Sequence, residues 1–102
     1  MSSRNSILAE IRLLPTEQGG RRYPTSQKFR CPAGIGDKFY DVVIDFTSVG
    51  SLSPGQTASV PVEIQRPDLV IPLLQVGSEF TLWESRTIGH GRVIEIYENT
   101  AA

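Results

Sequence analysis

The sequence has little of the chemistry that enzymes and metalloproteins depend on. Its 102 residues include one cysteine, Cys31, and one histidine, His90. A metal site needs three or four ligands, and a nucleophile–base pair must meet in space, so we predict neither from these two residues. The chain also lacks the Gly-x-x-x-x-Gly-Lys-Ser/Thr loop that cradles nucleotide phosphates. We therefore expect a protein that is not an enzyme and that needs no metal, nucleotide or other cofactor.

Long apolar runs are absent as well. No stretch has the length of a membrane-spanning helix, and residues 1–6 lack the apolar core of a secretory signal. The single cysteine cannot form an internal disulfide, which is typical of a reducing compartment. These features predict a cytoplasmic protein with no membrane partner.

The composition is that of an ordinary folded domain, with 39% hydrophobic and 21% charged residues. At this length we expect a single domain over residues 1–102, with its core at about residues 7–97 and a loose tail at residues 98–102. Residues 1–30 carry six lysines and arginines against two acids, whereas the remainder carries four against nine. The basic part would attract an anionic partner if the fold gathers it on one surface.

Apolar and polar residues alternate along most of the chain, which is the period of half-buried β-strands. The alternation predicts strands over residues 7–14, 26–32, 39–46, 58–64, 79–84 and 87–97. Turn residues separate them, including residues 33–37 and Ser53-Pro54-Gly55. Six strands without helical crossovers predict an all-β fold, either an antiparallel barrel or a sandwich. A small six-stranded antiparallel closed β-barrel is favoured, because closure removes the exposed edges of the sheet.

Three features modify this pattern. Pro61 predicts an edge or a bulge in the fourth strand, because proline cannot donate to a ladder. Residues 67–76 are apolar but interrupted by two prolines, which favours a crossing loop. In the last strand a strict alternation would put polar His90 and Arg92 on the same face as Ile88, Ile94 and Ile96. A bulge at Gly89 and Gly91 would shift the alternation by one residue and correct this.

Four motifs, in this order, resemble the C-terminal β-barrel (domain 3) of translation elongation factor Tu. They are Ala9-Glu10-Ile11-Arg12-Leu13-Leu14, then Glu17-Gln18-Gly19-Gly20-Arg21-Arg22-Tyr23-Pro24, then Ser53-Pro54-Gly55, and finally Phe80-x-Leu82-x-Glu84 with Arg86-Thr87-Ile88-Gly89-x-Gly91-x-Val93. The resemblance covers about residues 7–97 and implies a six-stranded antiparallel barrel as a stand-alone chain. It also implies a link to translation, since the full factor carries aminoacyl-tRNA partly on this barrel and meets its exchange protein and its own GTPase domain there.

The chain departs from the family's pattern in two places. Residues 25–32 do not match the segment that serves binding in the family. The stretch Trp83-Glu84-Ser85-Arg86-Thr87 is one residue shorter than its counterpart and lacks the family's glycines. Glu84 stands where the family contacts the tRNA backbone. We therefore expect the last hairpin to close the barrel while its tip is adapted to a different partner.

Two loops form the predicted partner-binding site, comprising Gly19, Gly20, Arg21, Arg22, Tyr23, Trp83, Glu84 and Arg86. Backbone N–H groups and guanidinium groups can hold a phosphate, and Tyr23 can stack an unpaired base; the alternative is a solvated turn. An outward Trp83 either anchors a partner or covers an end of the barrel. The leading hypothesis is a macromolecular binding module whose partner is RNA, with tRNA as one candidate, or protein.

A second hypothesis is a protein–protein or self-association module, for example a homodimer. Residues 67–76 are more apolar than a free loop requires, and they must cover either the core or a partner. The apolar side chains concerned are Val70, Ile71, Leu73, Leu74 and Val76.

Overall fold

Six antiparallel strands close into a barrel in the computed structural model, which describes residues 6–97. The strands are β1 Ile7–Leu13, β2 Lys28–Ile35, β3 Lys38–Asp45, β4 Thr57–Ile64, β5 Glu79–Trp83 and β6 Thr87–Ile96. Around the barrel the order is β1-β4-β3-β2-β5-β6, and β6 pairs with β1. The predicted fold class is confirmed, while the predicted tail at residues 98–102 lies outside the described residues.

The core fills the interior of the barrel with alternate side chains from all six strands. In β1, Ile7, Ala9, Ile11 and Leu13 are at most 1% exposed, whereas Arg12 points to solvent. Completely burying an isoleucine or leucine side chain contributes about 1.5–3 kcal/mol to the stability of the fold. The same alternation places the following residues inside: Phe29, Cys31, Ala33, Val42, Ile44, Val60, Val62, Ile64, Phe80, Leu82 and Val93. The strand predictions from period-two patterning are therefore confirmed.

The β2–β3 hairpin turns later than the sequence predicted. Residues 33–35 belong to β2, because Ala33 and Ile35 continue its inward alternation at 0% and 7% exposure. The reversal requires only Gly36 and Asp37, and Gly36 takes φ +66°. That conformation is accessible to glycine at little cost.

Pro61 marks neither of the two predicted features: β4 lies between β1 and β3, so it is not an edge strand, and its registers with both neighbours continue without a bulge. Ser6 donates its N–H to the Val62 carbonyl at 2.8 Å, so Val62 points its backbone polar groups towards β1. The backbone of Pro61 therefore points towards β3. Pairing between β3 and β4 ends at Ile44 with Val62. The proline thus falls just beyond the paired segment, where its missing N–H costs no ladder hydrogen bond.

Residues 67–73 of the predicted crossing loop form helical turns, and only residues 74–76 are non-helical. Helix α1 spans Pro67–Val70, and a 3-10 turn spans Ile71–Leu73. Both prolines stand in the first turn of their element, where no N–H donor is needed. Val70 and Leu74 are buried and cover one end of the barrel, whereas the side chains of Leu69, Leu73 and Val76 remain 49–65% exposed.

The last strand contains bulges as predicted, but not at Gly89 and Gly91. Leu82 pairs with Gly89 and Trp83 pairs with Thr87, which leaves Ile88 as the extra residue. A second bulge, at Ile94, interrupts the pairing of β6 with β1. Between the two bulges, His90 and Arg92 point outwards while Gly89 and Gly91 face the core. The parity problem in the sequence is therefore resolved by two bulges rather than one.

Candidate site between the 19–23 loop and the 84–86 turn

The two loops predicted as a binding site meet at one end of the barrel. The 19–23 loop lies between β1 and β2, and the 84–86 turn joins β5 to β6. Arg21 Nη1 donates to both carboxylate oxygens of Glu84 at 2.7 Å. In the reverse direction, Arg86 Nε donates to the Gly19 carbonyl at 2.6 Å and Nη2 to the Gly20 carbonyl at 3.3 Å. Each loop thus contributes an arginine that binds the other.

The two glycines give the 19–23 loop its shape. Gly19 takes φ +95° at the end of the 3-10 turn Thr16–Gln18, and a Cβ on Gly20 would overlap the Leu14 carbonyl. Their N–H groups are already bonded, that of Gly19 to the Thr16 carbonyl and that of Gly20 to the Pro15 carbonyl. These N–H groups are therefore not available to a phosphate, and the carbonyls of both glycines are turned towards Arg86.

Arg21 stabilises the loop to which it belongs. Besides the Glu84 ion pair, its Nε donates to the Tyr23 carbonyl at 3.2 Å and its Nη2 to the Pro24 carbonyl at 3.3 Å. Its guanidinium carbon lies 4.8 Å from the centre of the Phe29 ring, within range of a cation–π interaction. The Arg21 side chain is only 20% exposed. Arg21 and Glu84 therefore position the loops, and their charges neutralise each other.

Two further arginines keep charge available to a ligand. Within residues 6–97, Arg86 has no carboxylate partner and its Nη1 makes no hydrogen bond, while exposed Arg22 makes no ion pair. Together with Tyr23, which is 71% exposed, they line an open groove of about 420 Å³. The full lining is Arg21, Arg22, Tyr23, Glu84, Ser85, Arg86 and Ile88. With three guanidinium groups and one carboxylate, the groove has a net charge of +2.

The turn itself is tight. The Glu84 N–H donates to the Arg86 carbonyl at 2.8 Å, and Ser85 between them takes φ +63°. A left-handed conformation is uncommon for a non-glycine residue and often occurs at binding sites. It directs Glu84 and Arg86 to the same loop. The shortened turn noted in the sequence therefore has a defined geometry.

Trp83 points outwards as predicted, with 37% of its side chain exposed. Its ring contacts that of Phe39, with centroids 5.4 Å apart and planes inclined by 51°. Phe39 is 55% exposed, and the sequence reasoning did not assign it to the site. The alternation in β3 could have indicated it, because Val42 and Ile44 point inwards and Phe39 therefore points outwards.

Cys31 and His90 lie apart in the described structure. Burial raises the pKa of the Cys31 thiol to about 12, and the thiol faces the barrel interior. His90 lies on the outer face of β6, opposite Arg12, so the barrel wall separates the two. Within residues 6–97 there is no group of three or more potential metal ligands.

No protein-family model matches the chain. A comparison with curated proteins found no significant match. In the part of the chain that the structure describes, no helix is both long and apolar enough to cross a membrane.

Proposed function

We propose that this protein is a non-catalytic RNA-binding module built on a barrel similar to the C-terminal barrel of elongation factor Tu. The observation that carries the proposal is the groove in which Arg22 and Arg86 present uncompensated guanidinium groups beside exposed Tyr23. A guanidinium group matches the geometry of a phosphate and binds it through paired, charge-assisted hydrogen bonds. RNA supplies such phosphates in a row.

The groove also has the pre-formed character that a binding site needs. The Arg21–Glu84 pair and the contacts of Arg86 with the glycine carbonyls join the two loops before any ligand arrives. Less conformational freedom is then lost on binding. Cations combined with exposed aromatic rings are the usual composition of surfaces that bind nucleic acid strands. A role connected with translation in the cytoplasm is part of the proposal, supported by the ordered motifs in the sequence and the lone, unreactive cysteine.

The test is the affinity of the Arg22→Ala variant for a labelled RNA, measured by fluorescence anisotropy at several salt concentrations. Losing one phosphate contact should weaken binding to all RNA sequences similarly and reduce the slope of log K against log[salt] by about 1. Arg66→Ala is the matched control, since Arg66 is exposed, lies at the opposite end of the barrel and carries the same charge. Absence of RNA binding at low salt, or an equal effect of both variants, would contradict the proposal.

A second candidate function is self-association through the segment at residues 67–76, whose first seven residues are helical. Leu69, Leu73 and Val76 leave 49%, 55% and 65% of their side chains exposed on one segment, and exposed apolar clusters mark interaction sites. Sedimentation of the wild type should then show a dimer that Leu73→Lys dissociates. A monomeric mass at high protein concentration would eliminate this candidate.

A further inference from the structure

The exposed ring pair Phe39–Trp83 lies on the outer wall of the barrel beside the groove. Trp83 is the last residue of β5 and directly precedes Glu84, which lines the groove. Phe39 lies on β3, and both Phe39 and Thr81 pair with Gly34 of the intervening strand β2. The two aromatic side chains therefore reach each other across the outer face of β2.

Gly34 is the residue that allows this contact. A Cβ at this position would overlap the Thr81 hydroxyl and lie 3.3 Å from the Phe39 ring. Without a side chain on Gly34, the Phe39 ring can lie over the strand and approach Trp83. One face of the Phe39 ring lies over Gly34, but 55% of Phe39 and 37% of Trp83 remain exposed to solvent. Exposed aromatic surface of this kind is characteristic of binding sites.

Charged side chains of both signs lie on the outer wall near the pair. Arg30 lies on the outer face of β2, two and four residues from Pro32 and Gly34, and is exposed without an ion pair in the described part of the chain. Asp41, opposite Pro32, is an exposed carboxylate on the same wall. A phosphate backbone would therefore pass on the Arg30 side, which leaves the rings free to receive a base.

We propose that Phe39 and Trp83 stack an unpaired base, so that the RNA held by this protein is single-stranded at the groove. The inference rests on the proposed function and specifies its ligand. In a duplex the faces of the bases are covered by their neighbours, and only an unstacked base can lie against an aromatic side chain. Duplex RNA would reach the arginines of the groove but not the ring pair.

Trp83 is the only tryptophan in the chain, so its fluorescence reports directly on the ring pair. The experiment titrates the protein with a single-stranded RNA 12-mer of mixed sequence and, separately, with the duplex of the same length at the same salt concentration. The single strand should quench Trp83 emission on binding, and the duplex should bind without quenching it.

Variants at Phe39 test the stacking. Phe39→Ala should lower the affinity for the single strand at least about fivefold and leave the affinity for the duplex unchanged. Phe39→Leu, which keeps a side chain over Gly34, should give the same selective loss if the alanine variant does not fold. Val49→Ala, at an apolar position that is 50% exposed and does not line the groove, is the matched control and should bind both RNAs like the wild type.

The outcomes separate the two proposals. RNA binding that depends on Arg22 but neither quenches Trp83 nor responds to Phe39→Leu would overturn the stacking inference and leave the proposed function intact. An equal loss of single-strand and duplex affinity in the Phe39 variants would also overturn it. No binding of either RNA at low salt would overturn the proposed function and the inference together.

Discussion

Replacing Gly91 by alanine should destabilise the barrel, because the Phe80 ring occupies the space that a side chain would need. Phe80 and Gly91 are directly opposite in the β5–β6 hairpin, and Phe80 is only 4% exposed. A Cβ on Gly91 would lie 2.9 Å from Phe80 Cε1 and overlap two other carbons of the ring. The ring must then move within the core, where it lines an internal space together with Ile35, Leu74 and other buried side chains.

The expected loss in the free energy of unfolding depends on how far the core can adjust to the displaced ring. Inserting one methyl group into a well-packed core costs about 1–3 kcal/mol, and contact with three atoms of one ring argues for about 2 kcal/mol. For a domain of this size such a loss lowers the melting temperature by roughly 8–16 °C. Total stability is about 5–15 kcal/mol, so the variant should still fold.

Urea unfolding of four proteins measures the effect: the wild type, Gly91→Ala, Phe80→Leu and the double variant. Leucine at position 80 removes the clash, so Gly91→Ala should cost almost nothing in that background, giving a coupling energy of about 2 kcal/mol. Gly34→Ala is the comparison variant and should cost less, since its Cβ would overlap the Thr81 hydroxyl, which one bond rotation can move, and would lie 3.3 Å from the Phe39 ring, which is 55% exposed and can shift. A cost for Gly91→Ala below about 0.5 kcal/mol, or the same cost in both backgrounds, would refute the reasoning.

Two further predictions concern titratable groups. Burial raises the pKa of the Cys31 thiol to about 12 from an ordinary value of 9.0; a thiol reagent at pH 8 should therefore label Cys31 only as fast as the protein unfolds, and labelling of the folded protein would contradict this. The corresponding stability is complete below pH 9.0 and declines as the pH rises towards 12, so Cys31→Ala should flatten that decline in alkaline unfolding curves. Hydrogen bonds from the Thr47 hydroxyl and then the Thr47 N–H hold the pKa of Asp45 below its usual value of 3.8, which stabilises the fold above pH 3.8 and ceases to do so as the pH falls through the lowered pKa. Thr47→Val removes the hydroxyl, so NMR titration should show the pKa of Asp45 moving up, and an unchanged pKa would count against the hydroxyl as the main cause.

The strands could be predicted from the sequence because each one has its own alternation. In β1, four apolar residues at every second position predict a strand with one buried face. The predictions failed where proline or glycine had two structural uses. Pro67 and Pro72 suggested a loop, yet both also fit the first turn of a helix. Gly34 suggested a turn, yet it lies within β2 to make room for Phe39.

The site could be predicted only as two separate loops. Local composition identified residues 19–23 and 83–86, but the pairing of Arg21 with Glu84 joins residues 63 positions apart and depends on how the strands are ordered. Sequence alone therefore assigned the same role to Arg21, Arg22 and Arg86. The structure distinguishes them, since Arg21 is neutralised by Glu84 whereas Arg22 and Arg86 are not.

The pairing of β1 with β6 also has a consequence for how the protein folds. Ile7 lies opposite Ile96, so the barrel closes only when strands from the two ends of the described chain come together. Loop-closure entropy must be overcome before such distant contacts contribute energy, and folds dominated by them form slowly. During synthesis β1 can pair with β4, but one of its edges stays open until β6 leaves the ribosome. The period before closure is then the time at which this domain is most exposed to aggregation and to chaperones.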